Sequence, residues 1–146
     1  MGQIIGILSI KGGVGKTTSA LNLASALANE YNKRVLVIDT NYSSPTLGLH
    51  LGLVDYPHTI HDVLKNKVDI QDAIIAHNYN FDVILGDLLC SKINVYALRN
   101  RLKKVKNKYD FIILDSSPNL NDEMLSTMIA SDDLFVVTTP DWPTLS

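Results

Sequence analysis

Ile4-Ile5-Gly6-Ile7-Leu8-Ser9-Ile10 leads directly into Lys11-Gly12-Gly13-Val14-Gly15-Lys16-Thr17-Thr18, and Ala20, Leu23, Ala24, Leu27 and Ala28 follow at helical spacing. The first stretch is apolar and rich in β-branched residues, which predicts a buried strand. The last has the 3.6-residue period of an amphipathic helix that begins near Lys16. Between them the glycines let the backbone wrap closely and point successive N–H groups inward, while the helix N-terminus adds its partial positive charge. Strand, glycine loop and helix in this order predict a cradle for phosphate, a far more specific signal than the glycines alone.

Working outward, apolar runs at Val35–Ile38, Val83–Leu85, Phe111–Leu114 and Leu134–Val137 read as four further buried strands. Helical spacing covers Thr59–Lys65, Ile70–Ala76, Lys92–Lys106 and Asn121–Ala130. Strands that are apolar throughout and alternate with helices predict an α/β fold, a mostly parallel sheet covered by helices on both faces. No repeat or Pro/Gly-rich linker divides the chain, so residues 1–146 are expected to form a single domain. Two strands end in a carboxylate, Asp39 after Val35–Ile38 and Asp115 after Phe111–Leu114. In an open parallel sheet both would lie at the carboxyl edge beside the phosphate loop.

The general P-loop pattern G-x-x-x-x-G-K-[ST] is met by Gly15, Lys16 and Thr17, but Ile10 stands where its first glycine belongs, followed by a second lysine, Lys11. This combination resembles the deviant Walker A family of P-loop ATPases that includes MinD and ParA, with the pattern K-G-G-x-G-K-[ST]. The resemblance extends to Asp115-Ser116-Ser117-Pro118, similar to the family's D-[ST]-x-P segment, and to Asp39 at its D-x-D segment. It implies that residues 11–18, namely Lys11, Gly12, Gly13, Val14, Gly15, Lys16, Thr17 and Thr18, bind ATP. Lys16 would reach the β- and γ-phosphates, and Thr17, Asp39 and Asp115 would hold Mg²⁺. Lys11 would cross to the partner's nucleotide in a homodimer formed on ATP.

The main departure is Asn41, which replaces the second Asp of D-x-D, the residue that positions the attacking water. An amide can hold a water but cannot accept its proton, so hydrolysis is expected to be slow while binding is spared. The family function implied is an ATPase switch in cell-division-site placement or chromosome and plasmid partitioning. The alternative is an ATP-binding scaffold with little or no turnover. Ser44-Pro45-Thr46-Leu47-Gly48-Leu49 resembles the MinD type more than ParA. Family members are longer, so the chain is expected to be the N-terminal part of such a domain. A regulatory protein partner is expected, and a membrane or DNA would be reached through regions beyond residue 146.

Composition narrows the remaining classes. A net charge of −2 gives no global attraction to nucleic acid or anionic lipid. The apolar runs are far shorter than a membrane span and no secretory signal opens the chain, so a cytoplasmic protein is expected. Met1-Gly2 lacks the Ser or Thr of a myristoylation signal, since position 6 is Gly6. The basic stretch from Arg99 to Lys108 reads, with Leu98, Leu102 and Val105, as the solvated face of an amphipathic helix. An iron protein of the same family would need two cluster cysteines, and only Cys90 exists. His50, His58, His61 and His77 have no metal-ligand spacing and are expected on the surface or in loops. Ser9, Ser43 and Ser116 lack the surroundings of a nucleophile elbow.

Overall fold

The computed structural model describes residues 2–11, 15–89 and 92–138. Among the described residues six strands form one sheet: β1 (Gln3–Leu8), β2 (Val35–Thr40), β3 (Ile75–Ala76), β4 (Asp82–Ile84), β5 (Phe111–Ser116) and β6 (Asp133–Val136). Their order across the sheet is β3-β4-β2-β5-β1-β6. Every pairing is parallel except β3 with β4. The helices are α1 (Lys16–Asn29), α2 (Leu47–Leu51), α3 (Ile60–Leu64), α4 (Leu98–Leu102) and α5 (Asp122–Ala130). This is the α/β arrangement expected, with most strands parallel and apolar residues packed on both faces of the sheet.

The alternation of β2 shows how both faces are filled. Leu36 and Ile38 join Ile112, Leu114, Ile84 and residues of α3 and α4 in one cluster. Val35 and Val37 join Ile5, Ile7, Val83, Ile113 and Ala20, Ala24 and Ala28 of α1 in another. A strand whose two faces both meet apolar neighbours has no polar alternation, which is why β2 and β5 read as continuous hydrophobic runs. Small alanines at every fourth position let α1 lie close on the sheet. Its first residue follows Gly15, which sits in the left-handed region at φ +86°, a conformation that glycine adopts without a Cβ penalty.

Other elements depart from expectation for identifiable reasons. β1 ends at Leu8 rather than Ile10. The helix expected over Ile70–Ala76 is a 3₁₀ turn at Ile70–Ala73, started by the Asp69 side chain accepting from the Gln71 N–H, and then strand β3. Pairing of Ile75 with Val83 at the sheet edge overrides the helical spacing. Only Leu98–Leu102 of the predicted 92–106 helix is α-helical. The Asn94 side chain accepts from the Tyr96 N–H and begins a 3₁₀ turn before it, and a second 3₁₀ turn follows at Lys106–Lys108. Leu98, Leu102 and Val105 nevertheless face the core, and Lys104 and Lys106 pair with Asp69 and Asp132, as a solvated face would. β6, expected to be buried, is exposed along its length, and among the described residues it pairs only with β1. Helix α2 has no counterpart in the sequence reading. It ends at Gly52, whose φ of +69° turns the chain out of the helix.

Candidate functional site

Because β1, β2 and β5 run in the same direction, their carboxyl ends open together at one edge of the sheet, where the N-terminus of α1 also points. A cleft of about 240 Å³ lies there, lined among others by Ser9, Lys16, Thr17, Asn41, Thr46 and Pro118. Gly15 and Thr18 border it as well. Among the described residues no side chain caps the start of α1 and its first turn carries no acid, so its dipole favours an anion there. Gly12, Gly13, Val14 and Cys90 lie outside the described residues. Lys11 is exposed at the near end of the loop.

Asp115 organises the floor of the cleft. It is buried at the end of β5, forms an ion pair with Lys16, and accepts a 2.7 Å hydrogen bond from the Thr17 hydroxyl. Its own carbonyl accepts from the Thr40 hydroxyl at 3.1 Å, and the Ser116 hydroxyl donates to the Ile7 carbonyl at 2.6 Å. The three strand ends are thereby stitched together beneath the cleft.

Asp39 stands in register with Asp115 on the adjacent strand. Its carboxylate accepts from the N–H groups of Asn41, Thr46 and Leu47 at 3.0–3.1 Å. Burial pushes its pKa up to about 7, against the Leu47 amide, and the charge of Asp115 raises it further, while the Asn41 amide and Lys16 pull it down. Two buried carboxylates lie side by side with Lys16 paired to Asp115, and a further cation would relieve their repulsion. No group of three His, Cys, Asp or Glu residues able to hold a metal occurs among the described residues. The Ser9 hydroxyl is buried, faces the cleft and has no hydrogen-bond partner among the described residues, so it can bond a polar group placed there.

The loop at 41–46 forms one wall of the cleft, and its tethers were not foreseen. Glu123, buried in the first turn of α5, accepts from both the N–H and the hydroxyl of Ser43 at 2.6 Å. Nothing in sequence spacing ties positions 80 residues apart. His61, expected on the surface or in a loop, is instead fully buried in α3 and lies 3.0 Å through Nε2 from the Tyr42 carbonyl. The signal was present: His61 and Leu64 are three apart on the inward face of the helix. His50 is exposed and lines the cleft.

A family model described as an AAA domain matches residues 2–145. An ATP-binding protein of Methanocaldococcus jannaschii is 36% identical over 142 residues, covering 95% of this chain and 54% of the relative. Soj, the sporulation initiation inhibitor of Bacillus subtilis, is 34% identical over 147 residues, covering 93% of this chain and 58% of Soj. The septum site-determining protein MinD of Pyrococcus horikoshii, solved with Mg-ADP, superposes with a TM-score of 0.90 at 34% identity over 99% of this chain and 61% of that one. The chain belongs to the MinD/ParA-like P-loop ATPase family. It spans between about half and three-fifths of these relatives. The MinD-type leaning of residues 44–49 agrees with the MinD structures.

In this MinD/ParA-like chain Glu123 should matter beyond its own helix. Glu123→Ala would leave the Ser43 N–H without its acceptor and lower stability by about 1–3 kcal/mol in chemical denaturation. Ser43→Ala, which keeps the backbone bond, should cost less. Equal costs would show that the backbone bond to Glu123 contributes nothing.

Proposed function

We propose that the chain binds Mg·ATP in the cleft at the N-terminus of α1 and acts as a nucleotide-dependent switch that hydrolyses ATP slowly. The observation that supports this most is the convergence of Lys16, Thr17 and Asp115 at a helix start free of acids and side-chain caps. Lys16 would reach the β- and γ-phosphates, the N-terminus of α1 would face them with its backbone N–H groups, and the Ser9 hydroxyl would offer a further hydrogen bond. Thr17 and Asp115, with Asp39 behind them, would hold Mg²⁺. When bound, that ion neutralises charge on the phosphate oxygens. Asn41 holds the attacking water through its amide without accepting its proton.

Lys11 is assigned to the partner's nucleotide in an ATP-bound homodimer, and this trans contact couples nucleotide state to assembly. The names of relatives, a septum site-determining protein and a chromosome partitioning protein, support a role in division-site placement or in chromosome or plasmid partitioning. A cytoplasmic location and a regulatory protein partner belong to the same reading. If Asn41 abolishes turnover, the same site serves as an ATP-dependent scaffold.

Lys16→Ala should weaken Mg·ATP binding by about 100-fold or more in calorimetry, because it removes charge-assisted hydrogen bonds from an otherwise intact loop. Unchanged affinity would overturn the assignment of the cleft. Asn41→Asp should raise single-turnover hydrolysis at saturating Mg·ATP by about ten- to a hundred-fold, at or below the low end of general-base assistance, since phosphoryl transfer relies mainly on positioning. Affinity should change little. An equal or lower rate would show that Asn41 already positions the water and would remove the support for a scaffold without turnover.

A further inference from the structure

His61 is the one histidine in the described residues that is wholly buried, and it is bonded on both sides to other elements. Its Nδ1 accepts from the Asp87 N–H at 2.9 Å, so the neutral ring carries its proton on Nε2 and donates it to the Tyr42 carbonyl at 3.0 Å. Tyr42 belongs to the cleft-wall loop, and Asp87 belongs to the loop after β4. The two loops also touch where Gly86 packs on Pro45, so closely that a Cβ at position 86 would lie 2.6 Å from the proline ring. The Tyr42 ring meets the imidazole edge-on at 5.8 Å.

We propose that His61 is a positioning residue for the nucleotide cleft, its imidazole locking the loop at 41–46 against the loop after β4 and so holding Asn41 and Thr46 in the cleft wall. Asp39 and Glu123 hold the same loop from the sides of β2 and α5. They bind its amide groups, whereas His61 takes the carbonyl of Tyr42, so the three tethers are not interchangeable. The bond pattern also requires a neutral ring. A second proton would sit on Nδ1, opposite the Asp87 N–H, and break that contact. Burial lowers the pKa of His61, while the Tyr42 carbonyl and the carboxylates of Asp87 and Asp62 raise it and Lys65 lowers it. From the neighbouring α4, Arg101 reaches α3 at the Val63 carbonyl. With the folded-state pKa depressed, the contribution of His61 is complete above the ordinary histidine value of about 6.5 and is lost as pH falls from there toward the folded pKa.

The effect on nucleotide rests on the Mg·ATP reading above, but the effect on the loop does not, and the test separates them. His61→Leu keeps an apolar side chain and removes both bonds; His61→Gln can restore both, with its amide NH₂ toward Tyr42 and its carbonyl toward Asp87. Hydrogen exchange without nucleotide reads the Asp87 amide directly, and the Thr46 and Leu47 amides report on the loop. The leucine protein should exchange Thr46 and Leu47 about ten-fold faster than the wild type, the loss of one hydrogen bond, and the glutamine protein should recover most of the protection. Mg·ATP affinity should fall about ten-fold and recover in parallel. On acidification below pH 6.5 the wild type should lose protection relative to the glutamine protein, which shares Asp39 and Glu123 and so cancels their titration. This series decides the matter if the leucine protein does not fold. Loss of protection at Asp87 with Thr46 and Leu47 unchanged would overturn the proposal, confining His61 to the β4 loop. Failure of the wild type to bind Mg·ATP would overturn the functional reading instead, and the exchange data would still decide the role of His61.

Discussion

The carboxylate of Asp115 is the group on which the rest of the site depends. It is buried at a strand end and takes two partners, Lys16 and Thr17, from the first turn of α1. A buried charge is tolerated only when it is paired and hydrogen-bonded, so moving α1 along the sheet would leave an unpaired ion in the interior. That requirement fixes the helix start over the ends of β1 and β5. The alanines of α1 permit the close approach that the ion pair demands.

The second constraint concerns the loop at 41–46, which has no regular structure to hold its shape. Its backbone groups are satisfied from three directions: Asp39 beneath, Glu123 from α5 and His61 from α3. Each tether is itself buried, so the loop is fixed by groups that cannot relax into solvent. The consequence is a preorganised cleft wall, in which Asn41 and Thr46 face the same space as Lys16 and Ser9.

How much of this was legible in the sequence follows from how local each signal is. The strand, loop and helix around Lys16 declare themselves within one stretch, and Asp39 and Asp115 stand at the ends of unbroken apolar runs. β3 and the broken helix near Leu98 were misread because sheet pairing and Asx-type turns at Asp69 and Asn94 overrode a period that the side chains do show. Glu123 carries no sequence signal because its partner Ser43 is distant in the chain, and His61 reads as a surface or loop residue because an isolated histidine ordinarily is one. The resemblance to the MinD and ParA family, carried by Lys11, Gly15, Lys16 and Thr17, is borne out by the matched family and by the fold.

Under the proposed function the Lys16–Asp115 ion pair is the resting arrangement of a Mg·nucleotide site and not a permanent strut. A crystal structure of this chain with Mg²⁺ and a non-hydrolysable ATP analogue tests that directly. The expected result has Lys16 Nζ on phosphate oxygens, with the Thr17 hydroxyl and Asp115 turned to the metal and its waters. A structure in which Lys16 keeps its pairing with Asp115 while the nucleotide binds elsewhere, or does not bind, would contradict it.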